Sequence, residues 1–104
     1  MTLRPPAQYA TSGKAEALSN LLDYEIAAEK AAALGRAGDR VEKTLARLRL
    51  YERGAPERVA LLKEAADAVY AYFIQRELCG MRRHHDVIRE YAIPNEVLVR
   101  LGAK

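Results

Sequence analysis

From Lys14 to Arg53 the chain runs without a proline and is drawn mostly from Ala, Leu, Glu, Lys and Arg, the strongest helix formers. Leu18, Leu22, Ile26, Leu34, Val41, Leu45 and Leu48 recur along it at helical spacing, so one face is apolar. The stretch therefore reads as one long helix. Gly35 and Gly38 are its weak point, because each glycine costs up to about 1 kcal/mol relative to alanine and makes a bend easier. Gly54-Ala55-Pro56-Glu57 then breaks the pattern. Glycine just past a helix end takes the left-handed conformation, and proline suits the first turn of the next helix.

The second helix carries Val59, Leu62, Ala66, Val69 and Phe73 at alternating three- and four-residue steps, a coiled-coil-like seam that faces Leu48, Leu45 and Val41 in an antiparallel hairpin. Gly80 ends or sharply bends it. Helical pattern resumes from Arg82 to Ala92 with Val87, Ile88 and Tyr91 inward, and Ile93-Pro94 stops it, since the residue before proline disfavours the helical region. Pro94 opens a last turn or two bearing Val97, Leu98 and Leu101, and Gly102 is a plausible end cap. No stretch alternates apolar and polar residues as a strand would without also matching the helical period. The expected fold is all-α: a long helical hairpin with one or two shorter C-terminal helices, forming a bundle within one copy or in a dimer. Residues 1 to 13, with Pro5-Pro6 and Ser12-Gly13, are expected to form an irregular leader, and residues 14 to 104 a single helical domain.

With the turn centred on Ala55, antiparallel partners sum to about 110, which sets Gly80 opposite Lys30. The first helix, about 58 Å long against about 36 Å for the second, then overhangs. Its residues 15 to 29 need another partner for their apolar face. The C-terminal helices can fold back to supply it, or a second copy can, and symmetric homodimers are the commonest soluble oligomers. The small residues Ala27, Ala28, Ala31 and Ala32 would permit close helix approach. A homodimer is the expectation.

Composition narrows the function classes. Hydrophobic residues at 50% and charged residues at 30% lie far from the signature of disorder. Seventeen Lys and Arg against fourteen Asp and Glu leave a net charge of +3, spread over both halves of the chain, so no basic arm points to a polyanion. The single cysteine, Cys79, excludes an internal disulfide and fits a reducing compartment. No apolar run approaches the roughly 20 residues of a membrane span, and the first residues lack the apolar core of a signal peptide. The cytoplasm is the expected location, with no membrane partner.

The hairpin register gathers the chain's most chemically suggestive residues. Glu25 and Glu29, one turn apart, fall near Arg76, Glu77, Arg82, Arg83, His84 and His85. Carboxylates and imidazoles on facing helices are how bundles build metal sites. A metal would draw on Glu25, Glu29, Glu77 and His84. The chain has no histidine three residues after a glutamate on two helices, however, and adjacent histidines point about 100 degrees apart on a helix. An ion-pair network between Glu25, Glu29, Glu77 and Arg76, Arg82, Arg83 is the favoured explanation, with no metal and no cofactor.

Arg76, Arg82, Arg83 and Arg89 also cluster around Gly80. As a helix-turn-helix this fails, since the buried positions would be Arg76 and Asp86. A weak, nonspecific phosphate-binding face remains as a second alternative, diluted by Glu77, Asp86 and Glu90. The tyrosines are explained by core or interface filling. Nucleophilic catalysis has no foothold, because Ser12 and Ser19 have no histidine near them and Cys79 is only loosely associated with His84 and His85.

The segments Ala27 to Gly38, Gln75 to Gly80 and Ile93 to Leu98 resemble small helical bacterial proteins of a family of unknown function. The resemblance covers residues 20 to 102. It implies a helical fold and brings no activity, cofactor or catalytic residue. The sequence therefore favours a non-enzymatic, cytoplasmic helical interaction module, homodimeric, with an unknown protein partner also open. It would act through an exposed helical face or through the polar junction of Glu25, Glu29 and residues 80 to 85. A metal- or small-ligand-binding bundle is the alternative.

Overall fold

The computed structural model describes residues 6–102, with side chains from Gly13 onward. Four helices follow one another and no strand occurs among the described residues: α1 (Pro6–Leu48), α2 (Arg58–Leu78), α3 (His85–Glu90) and α4 (Asn95–Leu98). α1 is longer at its start than the periodicity predicts. The expected irregular leader is helical from Pro6, which as the first helical residue loses no intrahelical bond through its missing N–H. Residues 1–5 lie outside the described residues. α1 also passes through Gly35 and Gly38 as one helix.

The hairpin is built on a seam of side chains excluded from water. Val41, Leu45 and Leu48 of α1 meet Leu62, Ala65, Ala66, Val69 and Phe73 of α2, and Val87, Ile93 and Val97 close the core from the C-terminal segment. Each fully buried Leu, Val or Phe contributes about 1.5–3 kcal/mol. Thr44, the buried polar residue on this seam, donates its hydroxyl to the Arg40 and Val41 carbonyls at 2.8 and 3.1 Å, so it enters the core satisfied. Val59, expected in the seam, is 64% exposed instead, because α2 begins only at Arg58 and its first turn lies beyond the end of α1.

α1 stops at Leu48, short of Arg53. The Arg58 guanidinium accounts for this: it donates to the Leu48 and Tyr51 carbonyls at 3.0 and 2.6 Å, satisfying acceptors that the helix end leaves open. The same guanidinium pairs with Glu96 of α4, whose carboxylate also lies 3.9 Å from Arg53. α4 is thereby tied to the hairpin turn, and it packs on α2. Arg49, just past the end of α1, donates to the Tyr91 and Ala92 carbonyls at 2.8 and 3.0 Å, fixing the chain at the end of α3. The C-terminal helices thus return along the hairpin toward its closed end.

Two matched turns achieve that return. At the end of α2, the N–H of Gly80 donates to the Glu77 carbonyl and that of Met81 to the Arg76 carbonyl, with Gly80 at φ +89°. This is the Schellman arrangement, in which a left-handed residue satisfies the last carbonyls. At the end of α3 the same pair of bonds recurs, Ala92 to Arg89 and Ile93 to Ile88, with Ala92 at φ 51° where glycine is usual.

Candidate functional site

The open end of the hairpin holds both features singled out by the sequence. Its register is fixed by two contacts: the Cys79 thiol lies 3.9 Å from the Lys30 carbonyl, and Arg47 pairs with Glu64 at 3.5 Å. Beyond Lys30, α1 continues alone. Every described residue from Gly13 to Ala32 is exposed. Leu18, Leu21, Leu22 and Ile26 are 56%, 53%, 48% and 54% exposed, so about half of each apolar side chain remains in water.

The polar junction divides in two. At the α2–α3 corner, Arg76 donates through Nε to His84 Nδ1 at 3.2 Å and through Nη2 to the Arg83 carbonyl at 3.0 Å. His84 Nε2 meets Glu77 Oε2 at 3.0 Å. A guanidinium only donates, so Nδ1 accepts and Nε2 carries the proton given to Glu77. The imidazole also stacks on Phe73, with centroids 4.2 Å apart and planes 4° from parallel, and the Arg76 guanidinium lies 5.8 Å from the Tyr72 ring centre. Both ring nitrogens and one ring face of His84 are thus engaged in holding the corner together.

The other half of the predicted cluster stands apart. Glu29 pairs along its own helix with Arg36 at 2.8 Å, and Glu25 is exposed on the projecting part of α1. Arg82 and His85 are exposed, and Arg82 borders a shallow depression with Ile74, Glu77 and Leu78. No three His, Cys, Asp or Glu side chains are gathered to hold a metal among the described residues. The set Glu25, Glu29, Glu77 and His84 is therefore not assembled, because the chain turns back at Gly80 and carries His84 onto Phe73, while Glu25 and Glu29 lie on α1 at and beyond the end of α2. The network linking all three glutamates to the arginines is corrected likewise, to separate pairs. The arginine cluster is also broken up: Arg76 turns inward, and Arg89 pairs with Asp86 at 3.0 Å.

Sequence reasoning missed a second aromatic cluster, where Tyr91, just past α3, reaches α1. The Tyr91 ring stands edge-on to Tyr72 at 5.6 Å and 84°, and its hydroxyl approaches α1 at Gly38. Burial, then the adjoining Tyr72 hydroxyl and the Glu90 and Glu42 carboxylates, pushes the Tyr91 phenol up to about 12. The one available signal was a glycine on the core face of α1, marking a close approach.

The comparisons match this chain to a family of unknown function (DUF6665), whose model covers residues 1–104. No curated protein and no solved structure matches it. Among the described residues no helix is long and apolar enough to cross a membrane.

Proposed function

The chain belongs to that family of unknown function, and from this premise we propose that it is a non-enzymatic helical interaction module of the cytoplasm, pairing with a second copy through the projecting half of α1. One observation carries this: α1 outruns α2 at Lys30, and four large apolar side chains on the projection are half in water. A single helix in water is marginal, and most helical stability in proteins comes from packing an apolar face. α3 and α4 fold back along the hairpin body, so they leave this face uncovered. A second copy offers the same face by symmetry.

The corner of Arg76, Glu77, His84 and Phe73 is the rigid support that ends the hairpin where the projection begins. Its side chains satisfy one another, which suits a structural joint better than a binding pocket.

Native mass spectrometry of the untagged full-length chain tests the proposal. Twice the chain mass is expected, reverting to the single mass in Leu18→Glu/Leu22→Glu with the helix signal of the hairpin retained. A wild-type protein that remains a single chain at tens of micromolar, or a dimer indifferent to both substitutions, overturns it.

A further inference from the structure

Resting on that pairing, we infer that each projection lies along the outer side of the partner's α2, so that the two copies exchange their projecting helices. A second row of large apolar side chains is open to water: Tyr70, Ile74 and Leu78 of α2 are each 40–60% exposed. They stand four residues apart, as do Leu18, Leu22 and Ile26 on the projection. Tyr72, which lies against α1 at Gly38, precedes Ile74 by two residues, about 200° around the helix, so the row points away from α1. The turn at Gly80 carries the chain onto Phe73, a core residue, and leaves the row uncovered.

Direction and length select this seat. α2 runs antiparallel to its own α1, and a two-fold axis reverses α1, so a projection that reaches the other copy runs parallel to the α2 it meets. Matching the rows sets Leu18 beside the partner's Tyr70, Leu22 beside the partner's Ile74 and Ile26 beside the partner's Leu78. The same register brings Pro6, where α1 begins, level with the partner's Arg58, where α2 begins. Residues 6–26 thus follow the 21-residue α2 from end to end, about 31 Å, and the first turns of α1 gain a seat on the partner's hairpin body. The two α2 helices do not collide, because one ends at the level of Lys30 and the other at the level of Ile26, about 6 Å apart along α1. Charge fits the register: Lys14 falls within one residue of the partner's Asp67, and both are exposed. Glu25 comes level with the partner's Glu77, but each immediately precedes a seam residue, and in parallel helices those positions lie on opposite edges of the seam. A surface of the same spacing and length, reached in the one direction that symmetry permits, makes a second copy of this chain the occupant.

Single cysteines in a Cys79→Ala background test the geometry. Disulfides need Cα atoms within about 7 Å. On mild oxidation, mixed Leu22→Cys and Ile74→Cys chains join to one another. In this register the two copies of position 22 stand about 14 residues apart along the pair, about 21 Å, as do those of position 74, so each variant alone stays single. Self-joining of Leu22→Cys, or a native mass of two chains in a mixture that does not join, overturns the seat on α2 while leaving the pairing intact. A single-chain native mass with no joining overturns the pairing itself. A charge exchange adds an independent readout: Lys14→Asp weakens the dimer about fivefold at low salt, and adding Asp67→Lys restores it. No weakening, or equal weakening in both variants, overturns the register.

Discussion

Two glycines three residues apart on α1 are expected to respond in opposite directions to the same substitution. At Gly35 an added methyl meets nothing within 4 Å. Gly35→Ala therefore gains only the helix-propensity difference, about 0.8–1 kcal/mol, which raises the melting temperature by about 5 °C for a domain of this size. At Gly38 the same gain is opposed. The new Cβ would lie 3.0 Å from the Tyr91 hydroxyl and 3.5 Å from Tyr72 Cε1. The Tyr91 ring has little room to withdraw, because it is edge-packed on Tyr72 and its carbonyl is held by Arg49. Displacing it costs about 2 kcal/mol in overpacking strain and lost aromatic contact. Gly38→Ala should thus be about 1 kcal/mol less stable than the native chain and about 2 kcal/mol less stable than Gly35→Ala. Thermal unfolding followed by circular dichroism, with all variants at one protein concentration, reads the difference. A double-mutant cycle locates its cause: with Tyr91→Phe, which deletes the opposing oxygen, Gly38→Ala becomes neutral or stabilising. If Gly38→Ala melts as high as Gly35→Ala, the close approach of the Tyr91 hydroxyl to α1 at this point is wrong.

Two further outcomes follow from the C-terminal segment. Ala92 holds a left-handed conformation at the end of α3, which costs a non-glycine residue about 1–2 kcal/mol; Ala92→Gly relieves this at some expense in chain entropy and should stabilise by about 0.5–1 kcal/mol in a denaturant titration, whereas destabilisation would contradict that turn. The Tyr91 phenol is raised to about 12 in the folded chain against about 10 when unfolded. The folded state holds this proton more tightly, so the contribution is complete below pH 10 and is lost as pH rises from 10 toward 12. Stability should decline over that window, and less steeply in Tyr91→Phe; identical slopes would remove the half-buried phenol from the account.

The hairpin and its register were legible in the sequence because both depend on local, periodic information. A long proline-free run, a Gly-Ala-Pro break and a seam of apolar residues at helical steps dictate two antiparallel helices. Counting outward from Ala55 then sets Lys30 against the end of α2, as the Cys79 contact bears out. The overhang followed from the same count. What could not be read was where the chain turns back and how distant segments close. The neighbourhood of Glu25 and Glu29 to His84 failed because the count runs the chain on past Gly80, whereas it turns back there and stacks His84 on Phe73, leaving both glutamates exposed on α1 at and beyond the end of α2. Arg58 illustrates the second limit. Its pairing with Glu96 and its capping of Leu48 and Tyr51 join residues from three elements, and no spacing in the chain announces them. Those contacts draw α3 and α4 toward the closed end of the hairpin. Local propensity determined that there would be a projecting helix with an apolar face; only the tertiary packing, by committing the remaining helices elsewhere, decided that this face would be left open.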